Sequence, residues 1–258
     1  MSSSARNNLK RKARVYIGTS GYQYDHWKGI FYPEKLPKPE WFRHYCRHFN
    51  SVEINNTFYN LPDESTFEKW REQAPAGFSC VLKFSRYGTH IKCLKDPEDT
   101  VSTFMNRAEH LGNRLGPILI QLRPGWSVNI ERLRSFLEIL PANRRWAFEF
   151  RNPDWLSDDV FDLLKKHNAA LCIHDMLEHH PVEITADWVY LRFHGDHYSG
   201  SYSKAFLAAR ADQVAGYCAE GLDVYAFFNN DAEGHAVRNA MDLSKYITLI
   251  LHKQKQEF

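Results

Sequence analysis

Strand-like apolar runs in this chain end in polar side chains at every second position. Glu149 and Arg151 close one such run, and Arg192 and His194 close another. Side chains alternate between the two faces of a β-strand, so the polar members of each run share one face. The segments that fit this pattern are residues 15–20, 51–55, 79–84, 118–122, 145–150, 170–174, 188–194 and 223–229.

Helix-like segments separate most of these strands. They cover residues 39–49, 63–73, 97–111, 130–140, 154–167, 204–219 and 233–245. Such alternation predicts parallel strands joined by right-handed crossovers. The segment 176–187 after the sixth strand is short and contains Pro181, so we expect an irregular or missing helix there. Eight strands in 258 residues favour an α/β fold, a (β/α)8 TIM barrel, over an open doubly wound sheet.

The composition agrees with one globular domain, which we place at residues 15–250. Hydrophobic residues make up 43% and charged residues 25% of the chain, which is typical of soluble proteins. A formal net charge of +2 is too small by itself to indicate nucleic-acid binding. No apolar run is long enough for a membrane-spanning helix, so we expect no membrane association. Residues 1–14 are basic without an apolar stretch, which predicts a disordered lead-in rather than a secretory signal.

The cysteines are few and scattered. There are five, and none forms a Cys-x-x-Cys pair, so neither a disulfide framework nor a zinc knuckle is indicated. A reduced, cytoplasmic protein is expected. The pattern implies no particular oligomeric state.

The polar strand ends should meet at one mouth of the barrel, where TIM-barrel active sites lie. The inward groups expected there are Glu53, Asn55, Lys83, Gln121, Arg123, Glu149, Arg151, His174, Arg192, His194 and Asn229. The excess of cations should attract anions, and arginine suits bidentate capture of phosphate or carboxylate. Buried Arg–Glu pairing, for example of Glu149 with Arg151 or Arg192, is the structural alternative.

Two loops strengthen the expectation of an anion. Residues 195–200 follow the seventh strand, and residues 229–234 lead into the last helix; such loops often form the phosphate site of TIM barrels. The substrate-binding candidates are therefore Asn55, Tyr59, Gln121, Arg123, Arg151, His174, Arg192, Gly195, Asn229 and Asn230.

Catalytic roles fall to Glu53, Glu149, His194 and Lys83, with His174 as the alternative to His194. Glu53 or Glu149 is a candidate general base, with His194 or His174 as its acid partner. Lys83 is a candidate electrophile or Schiff-base former, although we favour a salt bridge from Lys83 to one of the two glutamates.

A metal site assembled from the same residue types is disfavoured. Glu53, Glu149, His174 and His194 are acceptable ligands, but four nearby cations would repel a metal ion. We therefore expect no metal and no cofactor. Asp175 follows His174 directly, and alternation turns it to the opposite face.

The motifs of the chain resemble those of the YecE-like family, a widespread group known only as a domain of unknown function. In chain order, the matching residues are Gly18-Thr19-Ser20-Gly21-Tyr22, Trp27, Phe31-Tyr32-Pro33, Val52-Glu53-Ile54-Asn55-Asn56-Thr57-Phe58-Tyr59, Lys83, Thr89-His90, Gly116-Pro117, Gln121-Leu122, Phe148-Glu149-Phe150-Arg151, Trp155, Arg192-Phe193-His194-Gly195, and Phe228-Asn229-Asn230 with Gly234. The resemblance implies a TIM barrel and no particular reaction. Two departures are Arg123-Pro124, where the family often has Pro-Pro, and Asn152, where it often has His.

These observations favour an enzyme, a hydrolase, lyase or isomerase, that performs acid/base chemistry on a small phosphorylated or carboxylated substrate. One alternative is a protein that binds nucleic acid or processes phosphodiesters, in which Tyr22 and Tyr59 stack on a base or sugar. The other is a non-catalytic sensor that uses the same anion site.

Overall fold

Eight parallel strands form the barrel predicted from the sequence. The computed structural model describes residues 12–195, 197 and 199–256. The strands are β1 (Val15–Thr19), β2 (Ser51–Ile54), β3 (Ser79–Lys83), β4 (Leu115–Gln121), β5 (Trp146–Glu149), β6 (Ala170–His174), β7 (Trp188–Phe193) and β8 (Asp223–Phe228). Each strand from β2 to β8 pairs with its neighbour in sequence, and β8 pairs with β1. The predicted (β/α)8 TIM barrel is therefore confirmed. Most of the basic lead-in, residues 1–11, lies outside the described residues.

The helices surround the sheet. They are α1 (Trp41–Tyr45), α2 (Asn56–Tyr59), α3 (Glu64–Gln73), α4 (Glu98–Ala108), α5 (Ile130–Ile139), α6 (Asp158–Lys166), α7 (Lys204–Ala219) and α8 (His235–Gln256). The first predicted helix, 39–49, is much shorter than expected, and the last continues well beyond residue 245. Within the described chain, no helix has both the length and the apolar character to cross a membrane.

The segment between β6 and β7 contains no helix, as expected. Thr185 lies in this segment and ties it to the sheet. Its hydroxyl accepts a hydrogen bond from the Leu171 amide at 2.7 Å and donates one to the Ala169 carbonyl at 2.7 Å. A single threonine thus satisfies backbone groups of β6 while the chain crosses to β7 without a helix.

The seam between β1 and β2 is closed by side chains. The Asn50 amide accepts from the Ile17 amide at 2.9 Å and donates to the Val15 carbonyl at 2.7 Å. Further along, the Tyr45 hydroxyl accepts from the Thr19 amide at 2.8 Å. At the mouth the backbones bind each other directly, because Gly21 donates its amide hydrogen to the Glu53 carbonyl at 2.7 Å.

The barrel interior is a separate packed layer from the shell beneath the helices. Buried Val81, Leu119, Cys172, Tyr190 and Phe227 form part of the inner layer. This filling leaves no pore, so the charged residues of the same strands lie at the mouth. The C-terminal ends of the strands therefore hold the candidate site.

Candidate functional site

The Arg192 guanidinium lies between two fully buried carboxylates at the barrel mouth. One terminal nitrogen donates to Glu149 Oε2 at 2.5 Å, and the other donates to Glu53 Oε1 at 2.8 Å. The Arg192 side chain is only 2% exposed. The three residues come from β7, β5 and β2, so alternation along three separate strands places them together at the mouth in one ion cluster.

Two more residues complete the hydrogen bonding of these carboxylates. The Tyr190 hydroxyl donates to Glu53 Oε2 at 2.6 Å, and Arg151 Nε donates to Glu149 Oε1. Burial alone would raise the pKa of Glu149, but Arg192 and Arg151 outweigh it and hold that pKa well below its usual range. Glu149 is therefore an anion at neutral pH. Its pairing with both arginines is the Arg–Glu arrangement that the sequence allowed as an alternative.

His194 follows β7 and is held in one orientation by Asp175. Its Nδ1 lies 3.0 Å from Asp175 Oδ1, and Asp175 Oδ2 accepts from the Tyr202 hydroxyl. On the other side of the ring, Arg151 donates to His194 Nε2 at 3.1 Å. An arginine can only donate, so Nε2 is the acceptor and the proton lies on Nδ1. Burial lowers the pKa of His194, so the ring is neutral and basic at Nε2.

The expectation that Asp175 faces away from the site is wrong. Alternation holds only while the backbone is pleated, and β6 ends at His174. Past that point the chain turns, and Asp175 binds His194, which lies 19 residues further along the sequence.

Lys83 lies at the end of β3 with its ammonium 4.2 Å from the centroid of the Phe58 ring. Among the described residues it forms no ion pair within 4 Å, so the favoured salt bridge to Glu53 or Glu149 is absent. Burial is the main cause that lowers the pKa of Lys83, to about 8, and the charge of Arg192 adds to it. The glutamates act on Lys83 only from a distance because both are already bound by arginines.

A second group of cations surrounds His90, on the turn after β3. Burial lowers the pKa of His90 to about 4, and the charges of Lys83, Arg86, Arg123 and Arg151 contribute. Arg86 and Arg123 are exposed. This side of the mouth is therefore positive, whereas the charges around Arg192 largely cancel.

Two other predicted residues, Gln121 and His174, flank the ion cluster. Gln121 Oε1 lies 3.5 Å from an Arg192 nitrogen. His174 Nε2 lies 2.8 Å from the Phe150 carbonyl, and its ring centroid is 6.0 Å from that of His194. Burial lowers the pKa of His174 to about 4, which leaves it neutral.

The remaining predicted residues lie at the rim or behind it. Asn55 and the 78% exposed Tyr59 line a small cavity of about 200 Å³ beside the mouth. Tyr22, in contrast, is buried and its hydroxyl accepts from Trp70, so it is not free to stack on a ligand. The expectation of a stacking Tyr22 is wrong because this side chain belongs to the core.

The two loops expected to bind phosphate contact each other. The Asn230 amide donates to the Gly200 carbonyl at 2.9 Å and to Asn239 at 3.0 Å. A Cβ on Gly195 would come within 2.8 Å of Asn230 Cβ. The half-buried Asn229 donates its backbone amide hydrogen to Phe193. Asn230 and Gly195 thus pack the loops together rather than facing the ion cluster.

Sequence reasoning gave no site role to three members of the site. Alternation places Tyr190 on the inward face of the seventh strand, two residues before Arg192, but its hydrogen bond to Glu53 was not predicted. The only sequence signal for His90 was its position in one of the family motifs. Tyr202 lies in the loop after β7, and no sequence pattern connects it to Asp175.

The side chains at the mouth do not form a metal centre. Within the described ranges, no three His, Cys, Asp or Glu residues are grouped so that they could hold a metal ion. Glu53 and Glu149, two of the possible ligands, instead accept hydrogen bonds from Arg192.

Comparison with known proteins identifies the family. The profile of a family described as "Protein of unknown function DUF72" matches residues 16–257 of this chain, which is nearly its whole length. The chain belongs to the DUF72 family. Among curated DUF72-like relatives, the UPF0759 protein YecE of Escherichia coli is 32% identical over 146 residues, which cover 55% of this chain and 50% of that protein. The chain therefore aligns with about half the length of this relative. The UPF0759 protein YunF of Bacillus subtilis is 22% identical over 91% of this chain and 95% of its own.

Solved DUF72 structures share the barrel. A DUF72 protein from Thermotoga maritima has 28% identity and a TM-score of 0.81, covering 91% of this chain and 99% of its own. One from Enterococcus faecalis has 19% identity and a TM-score of 0.77, covering 91% and 95%. The D-psicose 3-epimerase of Clostridium cellulolyticum, solved with D-tagatose, has 10% identity and a TM-score of 0.59, covering 92% and 99%; this shows a likeness of fold alone. The resemblance to the YecE-like family is thus confirmed.

Proposed function

We propose that this DUF72 protein is an enzyme that performs acid/base chemistry on a small phosphorylated or carboxylated substrate at the barrel mouth. The observation that carries this proposal is the pair formed by His194 and Asp175. The neutral imidazole of His194 donates its Nδ1 hydrogen to the carboxylate of Asp175, which leaves Nε2 as a basic nitrogen. This is the arrangement of a general base. Arg151 donates a hydrogen bond to that nitrogen.

The substrate anion fits the positive side of the mouth. Arg123 and Lys83 contribute charge there, and neither forms an ion pair with a carboxylate among the described residues. An anion that draws Arg151 toward itself would free His194 Nε2 to accept a substrate proton. Binding of the anion would then also expose His194 Nε2 as the base.

Arg192 has a different role in this proposal from that of direct anion capture. Both its terminal nitrogens are bound to Glu149 and Glu53, so it positions these carboxylates. Glu149, held as an anion, orients Arg151 through its Nε and stabilises positive charge that develops in the site. Gln121, His174 and Asn55 complete the wall of the site.

We also propose a reducing, cytoplasmic setting. All five cysteines are free, and Cys80 and Cys172 are fully buried. Free thiols persist in reducing compartments.

A binding screen tests the function. Wild type is heated with phosphate, sugar phosphates, dicarboxylates or short oligonucleotides, and the change in Tm is measured. A ligand at 100 times its Kd adds about 2.7 kcal/mol to stability. We expect a small anion to stabilise the protein and Arg123→Ala to weaken its binding. Arg43→Ala is the matched control and should leave ligand binding unchanged. Arg43 is an exposed arginine on α1 and is paired with Glu40.

The same screen distinguishes the alternatives. The strongly exposed Tyr59 beside the mouth favours nucleic acid as the second candidate, because exposed aromatic rings stack on bases. Stabilisation by oligonucleotides alone, lost steeply with added salt, would replace the enzyme proposal with that one. A small anion that binds but is recovered unchanged after prolonged incubation, as followed by NMR, would indicate a sensor.

A further inference from the structure

Lys83 is the one cation of the inner cluster that the described residues leave without an ion pair. Arg192 and Arg151 are each bound to buried glutamates. The Lys83 ammonium instead faces the Phe58 ring, at 4.2 Å, and the residue is 8% exposed. A buried ammonium without a carboxylate partner loses hydration and gains little in return. The site therefore favours the neutral amine more than a surface position would.

We propose, building on the acid/base function above, that Lys83 is a nucleophile that forms a Schiff base with a small anionic aldehyde or ketone. Its place at the end of β3 directs the amine into the mouth, where substrates of TIM barrels react. Desolvated lysines beside other cations are the ones that attack carbonyl carbons.

The surrounding charges support the amine form. The titratable groups that act on Lys83 are Glu53 on β2, Glu149 on β5, Arg151 after β5, Arg192 on β7 and His90 after β3. Burial, the largest cause, and the two arginines lower its pKa, and together they outweigh the glutamates, which raise it, so the pKa is about 8. About a tenth of Lys83 is then free amine at pH 7, against far less than a hundredth for an ordinary lysine.

The chemical step conserves atoms and charge. The Lys83 nitrogen lone pair forms a bond to the carbonyl carbon as the C=O π bond breaks, and a proton moves from this nitrogen to the oxygen to give a carbinolamine. The hydroxyl then takes one further proton from solvent and leaves as water while the nitrogen lone pair forms the C=N bond, which gives the protonated imine. This cation draws electrons from the adjacent carbon, so a C–H or C–C bond there breaks more easily, and His194 Nε2 is the base that accepts the proton.

The anionic group of the substrate would lie on the same side as the lysine. Arg123, Arg86 and Arg151 surround His90, which also senses the charge of Lys83. The structure thus favours a substrate in which carboxylate or phosphate is close to the carbonyl, as in a 2-oxo acid or a phosphorylated ketose.

Reductive trapping on wild-type protein tests this inference. The protein is incubated at pH 7 with sodium cyanoborohydride and either glyoxylate, an anionic aldehyde, or acetaldehyde, a neutral one of similar size. Cyanoborohydride delivers hydride to the imine carbon and fixes the adduct as a secondary amine, which peptide mass spectrometry locates. The exposed Lys95 is the internal reference. We expect glyoxylate to modify Lys83 at least about tenfold more than Lys95, because about a tenth of Lys83 is free amine at pH 7 and the neighbouring cations attract the anion.

The outcomes separate this inference from the function on which it rests. Greater labelling of Lys83 by glyoxylate than by acetaldehyde supports both the Schiff base on Lys83 and the anion site at the mouth. Equal labelling of Lys83 by the two aldehydes supports the Schiff base and contradicts the anion site. If neither aldehyde labels Lys83 above Lys95 while phosphate still stabilises the protein, the Schiff base is overturned and the anion site stands. Lys83→Arg, which keeps the charge and removes the nucleophile, should abolish the adduct at this position.

Discussion

Asp175 Oδ1 lies within hydrogen-bond distance of two nitrogens of His194. The ring nitrogen Nδ1 is 3.0 Å away, and the backbone amide of the same residue donates at 2.9 Å. One carboxylate oxygen thus determines both where the backbone of His194 lies and which ring nitrogen carries the proton. The Tyr202 hydroxyl holds the second oxygen, so the carboxylate cannot rotate away.

Asp175→Asn should lower the pKa of His194 further. Burial lowers this pKa, and the hydrogen bond that His194 donates to Asp175 raises it, so weakening that bond removes the opposing effect. ¹⁵N NMR of the imidazole reports both the tautomer and the titration. Tyr202→Phe is the matched control, since it leaves the Asp175 charge in place, and it should change the His194 titration much less. An Nε2-protonated ring in wild type would contradict the assignment.

Arg192→Met should destabilise the barrel by about 3–5 kcal/mol, because it leaves Glu53 and Glu149 buried with one fewer cation. Urea unfolding measures the loss. The triple variant Arg192→Met, Glu53→Gln, Glu149→Gln should recover part of it, because the uncompensated charges are gone. Arg123→Ala, which removes an exposed arginine, should change stability by less than about 0.5 kcal/mol. Equal losses in the free energy of unfolding for Arg192→Met and Arg123→Ala would contradict the argument that Arg192 stabilises the buried glutamates.

Stability should fall as the pH drops from about 6.5 to 4, and His174 is one cause. Its folded pKa is about 4 because the ring is buried, whereas the unfolded chain has the ordinary value near 6.5. The unfolded state therefore binds more protons in this window, so acid favours unfolding by up to about 3 kcal/mol from this group. Glu149, whose pKa is held low, adds its own loss of stability as the pH falls through and below the ordinary glutamate value of 4.5.

Unfolding curves of wild type and His174→Asn at several pH values check this contribution. The asparagine at position 174 does not titrate, so the stability of the variant should depend less steeply on pH between 6.5 and 4. His235→Asn, at the beginning of α8 and away from the ion cluster, is the comparison and should keep the wild-type slope. Parallel curves for wild type and His174→Asn would contradict the argument.

Alternation along strands was sufficient to predict the buried half of the site. Glu53, Glu149 and Arg192 lie within strands, where each side chain direction follows from its neighbour's, so one rule placed all three at the mouth. Which groups pair was not predictable in the same way. Glu53 and Arg192 are 139 residues apart, and only the barrel's closure brings them to 2.8 Å.

The rule failed at the end of β6. Asp175 lies one residue past this strand, where the backbone turns and is no longer pleated. Lys83 lacks its expected salt bridge for another reason. Arg192 and Arg151 occupy the glutamates, and this competition depends on distances across the barrel that no local pattern contains.

Tyr45→Phe should weaken the seam between β1 and β2 by about 1–3 kcal/mol. The hydroxyl accepts from the Thr19 amide and donates to the Ser51 carbonyl at 3.2 Å, so its removal leaves two buried backbone groups without their partner. The ring itself stays, so packing is preserved. Tyr217→Phe on α7 removes a hydroxyl that only accepts from Gln213, and it should cost less than half as much in urea unfolding. Hydrogen exchange adds a local readout: the Thr19 amide should exchange faster in Tyr45→Phe, whereas amides of β5 should not. Unchanged exchange at Thr19 would mean that the seam does not depend on this hydroxyl.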